Sequence, residues 1–299
     1  KKNINIVLQM NQLFGHEYIF NNFIELYEKN ILPNKILLSG RKGIGKSLFA
    51  NHFVNHIYSN DNKIKANILI ENNSHPNIFR IFKKKDKKNI EISQIRQMIE
   101  FQNRSSFNNK IKSIIIDDLE YLNDNSTNAL LKSIEEPNQK VLFILINNSG
   151  RNIPDTLRSR CIEFKLFLKY KEIKLIVDNH FNDEIYHNIS NDFVNFYTSP
   201  SFLIFLVEFF RENSINYINL TIEQFIIDLI KNKYYSKNQF INENLNIFIE
   251  LFFYKNINLS KKISYKIKEY FYLKLSLIKK YNLDLETFFL EFEEKLLSE

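Results

Sequence analysis

The stretch Gly40-Arg41-Lys42-Gly43-Ile44-Gly45-Lys46-Ser47 constrains this chain more than any other, because it fits the phosphate-binding pattern G-x-x-x-x-G-K-[ST] without a mismatch. Glycine is scarce, five residues in 299, and three of the five fall inside these eight positions. The apolar run Ile36-Leu37-Leu38 leads into the loop, and residues 47–54 follow with apolar side chains at helical spacing. The sequence therefore predicts the strand, loop and helix that the pattern requires. In that setting backbone N–H groups converge on a phosphate chain, and the helix N-terminus adds positive potential. Gly40, Gly43 and Gly45 let the backbone come close, Lys46 is placed to reach the outer phosphates, and Ser47 is placed to hold Mg2+.

The surrounding pattern predicts an α/β half followed by an all-α half. Short apolar runs at Lys35–Ser39, Asn77–Phe82, Ser113–Asp117, Val141–Ile146 and Cys161–Leu166 read as strands. They alternate with amphipathic segments at 15–29, 47–58, 91–104 and 126–136, which argues a doubly wound parallel sheet with ligands beyond the carboxyl ends of its strands. After about residue 168 only helical patterns remain. Segments 169–180, 184–197 and 200–212 suit a small three-helix unit, and 221–232, 238–255, 260–281 and 285–297 suit a further helical domain. Apolar positions in the latter, among them Ile226, Leu229, Ile247, Ile249, Phe252, Phe253, Tyr270, Leu273, Leu275, Phe288 and Phe289, are expected in its core. The expected domains are 1–168, 169–214 and 215–299.

The rest of a nucleotide site is sought at the other strand ends. Ile114-Ile115-Ile116 runs into Asp117-Asp118, and a carboxylate at the tip of a buried strand is costly unless a cation or donors meet it. An Mg2+ shared by Ser47 and Asp117 would answer that cost; a plain strand-end cap is the other reading. The strand 141–146 runs into Asn147-Asn148, where an amide is placed to orient water near a terminal phosphate or to serve ordinary turn chemistry. Arg158 and Arg160, close together in an arginine-poor chain, suit either forked phosphate recognition or surface ion pairs.

Composition narrows the setting. Cys161 is the single cysteine, which excludes an internal disulfide and a cysteine-cluster metal site and points to a reducing, cytoplasmic location. No apolar run approaches the roughly 20 residues needed to span a bilayer, and the first residues carry no signal-peptide core, so no membrane partner is expected. A net charge of +7 suits a protein that faces nucleic acid, although a lysine-favouring genome gives the same figure. The run Lys83-Lys84-Lys85-Asp86-Lys87-Lys88 reads first as a solvated loop. The six histidines show no ligand-like grouping, so no zinc is expected.

One further set of residues carries a family resemblance. Thr127-Asn128-Ala129-Leu130-Leu131-Lys132-Ser133-Ile134-Glu135-Glu136-Pro137, followed by Ser159-Arg160-Cys161, resembles the signature of bacterial DNA polymerase III clamp-loader subunits, members of the AAA+ family. Leu13-Phe14-Gly15-His16-Glu17, Leu32-Pro33 and His75-Pro76 match as well, and the likeness runs from about residue 10 to 166. It implies an AAA+ domain with a helical lid and a C-terminal helical collar, and ATP or ADP with Mg2+ as ligand. The implied partners are gamma/tau-type and delta-type subunits in a hetero-pentamer, the sliding clamp, and primer-template DNA contacted through phosphates without sequence specificity. It also implies a sensor-like role for Asn148, a base position at Asp118, and Arg160 as a finger supplied in trans to a neighbour's ATP.

Departures from the motor subunits of that family point to its delta-prime type. Residues 57–75 hold no zinc-module cysteines, Asp118 stands where the motors have Glu, and Thr198-Ser199-Pro200-Ser201-Phe202 lacks the lid arginine. An Asp withdraws the carboxylate by one methylene, and a misplacement of about 1 Å can cost roughly 100-fold in rate. Weak or absent hydrolysis by the chain itself is the expectation. The alternatives are an ATP-hydrolysing gamma/tau-type motor and an unrelated AAA+ ATPase.

Overall fold

The structure, a computed structural model, describes residues 15–58, 74–84, 86–107, 110–135, 140–148, 153–194, 198–260 and 265–297. Leu13, Phe14, Lys85, Glu136 and Pro137 of the sequence reading lie outside these. The chain divides into two compact units, Lys1–Ile176 and Val177–Glu299.

In the first unit β1 (Lys35–Ser39), β2 (Ile78–Ile81), β3 (Lys112–Ile116), β4 (Val141–Asn147) and β5 (Ile162–Lys165) form one sheet in the order β2-β3-β4-β1-β5. Every pairing is parallel. Parallel neighbours need crossovers, which the helices supply. These are α2 (Lys46–Tyr58), α3 (Ile92–Asn103), α4 (Asp124–Glu135) and the short α5 (Asp155–Arg158), while α1 (Glu17–Glu28) precedes β1. The strand Lys35–Ser39 has its expected bounds, the one expected at 141–146 runs one residue further, and the other three differ from expectation by one residue at each end.

β3 and β4 are buried along their whole length, which is why they read as unbroken apolar runs rather than alternating ones. The register sets Leu37 beside Leu145 and Ile114 beside Phe143 on one face. That face packs with Ile95 and Met98 of α3 and Leu130 and Ile134 of α4. Phe164 pairs with Leu38 and so belongs to the opposite face, where its ring lies 4.6 Å from that of Phe23 in α1. Phe23 in turn meets Phe49 and Phe53 of α2 at 5.1 and 5.3 Å, which completes a three-layer core. This is the parallel-sheet α/β unit, with helices on both faces, that the alternating sequence pattern implied. It turns the carboxyl ends of β1, β3 and β4 to one edge. Nearby, Gly15 takes φ +82°, a left-handed backbone that favours glycine, and a Cβ there would stand 2.4 Å from Cδ2 of Leu168.

α6 (Tyr170–Phe181) contains the division between the units, and α7 (Asn191–Val194), α8 (Pro200–Glu212), α9 (Ile222–Lys231), α10 (Tyr234–Lys237), α11 (Gln239–Ser260), α12 (Tyr265–Tyr281) and α13 (Leu285–Leu296) follow. The expected helix 184–197 is interrupted. After a 3-10 turn at Tyr186–Asn188 the backbone extends at Ile189. Ser190 then opens α7, its hydroxyl accepting from the Asp192 N–H at 3.4 Å. One aromatic core joins these helices. Phe193 contacts Phe225 at 5.7 Å, Phe202 contacts Phe248 at 5.5 Å, and Phe271 contacts Phe292 at 5.0 Å. Tyr270 and Leu273, expected in that core, are exposed instead at 44% and 63%. Helical spacing puts them on the apolar stripe of α12, but Phe271, Leu275 and Ile278 are the residues that face inward. Among the described residues no helix is long and apolar enough to cross a membrane.

Candidate functional site

The loop after β1 is held in shape by its own charged side chain. Lys46, the first residue of α2, is 2% exposed, and its Nζ donates to the carbonyls of Gly40 at 3.0 Å and Arg41 at 2.6 Å. Burial lowers its pKa to about 8, against the pull of Asp117, Glu120 and Asp118 in the other direction. It is thus still mainly cationic at neutral pH. Gly40 is fixed by proximity, since a Cβ there would lie 2.5 Å from the Leu166 carbonyl oxygen and 2.8 Å from Cδ1 of Ile44. Gly43 and Gly45 take φ of +84° and +92°, and the side of Gly45 where a Cβ would sit is open for 4 Å.

Ser47 and Asp117 meet at the carboxyl edge of the sheet, across the end of β4, which lies between β1 and β3. The Ser47 hydroxyl donates to Oδ2 of Asp117, while Oδ1 of the same carboxylate accepts from Nδ2 of Asn148 at 2.6 Å. β3 and β4 are hydrogen-bonded neighbours, so the residue just past each one arrives at the same edge. Asn148 Nδ2 also lies 3.3 Å from Oδ1 of Asp118. Asp118 takes φ +55°, and its carboxylate accepts from Asn148. Burial, with the neighbouring Asp117 charge behind it, raises the Asp118 pKa.

Glu120 is a member of this cluster that motif reasoning missed. Its Oε2 accepts the backbone N–H of Asn148 at 3.1 Å, and burial raises its pKa. The contact spans 28 residues and depends on β3 lying beside β4, so only the strand order could have revealed it.

Arg160 is not brought to this pocket. It follows α5 on the exposed surface, where Nη1 donates to the Thr156 carbonyl at 2.7 Å and Nη2 pairs with Glu135 at the end of α4. Arg158 pairs separately with Glu163 at 3.6 Å. The basic run after β2 is anchored in part, with Lys84 and Lys87 paired to Glu91 at 3.1 and 3.2 Å.

The donor set fits a phosphate and a hard cation. A glycine loop, an ammonium and a helix N-terminus suit an anion, and the paired hydroxyl and carboxylate oxygens of Ser47 and Asp117 suit Mg2+. Among the described residues no group of three or more His, Cys, Asp or Glu is clustered to hold a metal by itself.

Comparison with known proteins extends the local geometry. A curated relative, DNA polymerase III subunit delta' of Pseudomonas aeruginosa, is 29% identical over 134 residues, 42% of this chain and 41% of that protein. DNA polymerase III subunit gamma of Buchnera aphidicola subsp. Schizaphis graminum is 35% identical over 112 residues, 35% of this chain and 31% of that protein. The chain therefore spans less than half the length of these curated relatives. A solved gamma subunit-related protein of Thermotoga maritima aligns with a TM-score of 0.41 at 20% identity, over 51% of this chain and 47% of that one. The family model described as DNA polymerase III, delta subunit, matches residues 15–168, more than half of the chain and the whole of the sheet with its phosphate loop. On that match, the chain belongs to the DNA polymerase III delta subunit family.

Proposed function

We propose that this chain is a delta-prime-like subunit of a DNA polymerase III clamp loader that binds adenine nucleotide with Mg2+ and acts mainly by assembly. The observation that carries the reading is the hydrogen-bonded line Ser47, Asp117, Asn148 across the mouth of an intact phosphate loop, in a chain of this family. Bound Mg2+ would supply charge neutralisation between phosphate oxygens. The chain's own residues divide the remaining work. The loop amides and Lys46 bind phosphate oxygens, Ser47 and Asp117 offer the cation ligands, and Asn148 holds the Asp117 carboxylate in orientation. Asp118 is a poorly placed base: its carboxylate is engaged by Asn148, and a side chain one methylene shorter than Glu would reach less far towards an attacking water.

In this reading Arg160 serves a neighbouring subunit's nucleotide, residues 169–214 act as lid, and 215–299 act as the collar that joins gamma/tau-type and delta-type subunits. The sliding clamp and primer-template DNA are the further partners. A gamma-type motor is the second reading, favoured by the 35% identity to a subunit of that name. Calorimetric titration with ADP and Mg2+ tests the pocket. Binding by the wild type, weakened tenfold to a hundredfold in Lys46→Ala through loss of a charge-assisted contact, is the expected result. No binding at millimolar nucleotide overturns it. Turnover well below about 1 per second by the isolated chain is expected. Robust turnover that Asp118→Asn abolishes favours the motor.

A further inference from the structure

His16 occupies the N-cap of α1, where its carbonyl accepts from the Phe20 N–H at 2.9 Å. A side chain at that position ordinarily serves the first amides of its own helix, but His16 makes no such bond. Its ring is turned inward instead, 2% exposed, and Nε2 meets the carbonyl of Ile44 at 2.8 Å, 28 residues away in the middle of the phosphate loop. A carbonyl only accepts, so Nε2 carries a proton, and burial, which lowers the ring's pKa, favours the neutral form with a bare lone pair on Nδ1. That Nδ1 is buried without a hydrogen-bond partner. The ring packs edge-on against Phe49 at a centroid distance of 6.3 Å, and Gly15 before it is wedged against Leu168, so the imidazole has little freedom to turn away.

The consequence lies across one peptide bond. In a trans peptide the C=O and the following N–H point in opposite directions, and the described chain has no cis bond. Fixing the Ile44 carbonyl towards His16 therefore fixes the Gly45 N–H away from it. We propose that His16 is a positioning residue of the phosphate loop, whose Nε2–H holds the Ile44–Gly45 peptide so that its amide faces an anionic ligand. The affinity arm of the test rests on the nucleotide-binding reading above; the loop arm does not.

The experiment compares the full-length wild type with His16→Phe, which keeps a ring but no donor, and His16→Gln, whose amide can donate to the same carbonyl. Hydrogen–deuterium exchange is followed for peptides covering 40–47 and 112–116, and ADP affinity is measured on the same samples. His16→Phe is expected to speed exchange in 40–47 at least tenfold and weaken ADP at least tenfold, with 112–116 unchanged. His16→Gln is expected to recover most of both. Wild-type loop exchange in His16→Phe overturns the proposal. So does loosening shared equally with 112–116 and not recovered by Gln, which marks a packing role. Should the wild type bind no ADP, the nucleotide reading falls while the exchange arm still decides the role of His16.

Discussion

At Arg160, surface chemistry and the role in trans proposed above make opposite demands on one side chain. Its fork is already engaged, with Nη1 on the Thr156 carbonyl and Nη2 on Glu135. Both partners of the ion pair are substantially exposed, and such a pair contributes at most about 1 kcal/mol. Glu135 can therefore be exchanged for a neighbour's phosphate at little cost, whereas a buried pair could not be broken so cheaply. Arg160→Ala is expected to leave the unfolding midpoint and ADP affinity of the isolated chain nearly unchanged. In a reconstituted clamp loader the same change is expected to lower DNA-stimulated ATPase by roughly a thousand-fold, the scale typical of arginine fingers. Arg160→Lys is expected to recover little, because an ammonium lacks the planar fork. Normal ATPase and clamp loading by the Arg160→Ala complex would reduce the residue to a surface ion pair.

At the level of elements, one carboxylate of α13 gathers three donors beside the aromatic contact between α12 and α13. Glu291 accepts from Lys274, from Lys295 at 2.6 Å and from the Tyr270 hydroxyl at 2.7 Å, and these donors, Lys274 foremost, pull its pKa down to about 2. A folded-state pKa below the ordinary 4.5 means stability that is fully present above about pH 4.5 and lost as pH falls towards 2. Solvent screening keeps the gain near about 1 kcal/mol. Glu291→Gln is expected to lower stability by that amount at pH 7 and to approach the wild type only as pH falls to about 2 and below, as read by urea unfolding; a gap that does not change with pH refutes the linkage. This contact also marks the limit of what the sequence discloses. The phosphate loop was legible because strand, loop and helix are contiguous in the chain, and Asp117 and Asn148 because each lies just beyond an apolar run. His16 against Ile44 and Glu120 against Asn148 were not, since each joins residues 28 apart through a fold that no local pattern encodes. Tyr270 and Leu273 were misjudged for a related reason: periodicity shows that α12 has an apolar stripe, but not which part of it a neighbour covers.

For the whole molecule, the aromatic core of the second unit sets where the chain can be cut. Phe193, Phe202 and Phe209 precede residue 215, yet their rings contact Phe225 and Phe248 beyond it. A chain ending at 214 would leave these rings in water, and losing the cover of even one fully buried Phe costs on the order of 2 kcal/mol. A chain ending at 181 is expected to stay monomeric and unfold cooperatively, while one ending at 214 is expected to aggregate, as followed by light scattering and thermal unfolding. A soluble, cooperative 1–214 fragment refutes the shared core. The first unit is closed in a different manner. Gly15 and Leu168, the first and last residues of the matched segment, stand in contact across the space where a side chain would be. A segment whose two ends meet behaves as a cassette: it enters or leaves a longer chain at a single corner, without rethreading its sheet.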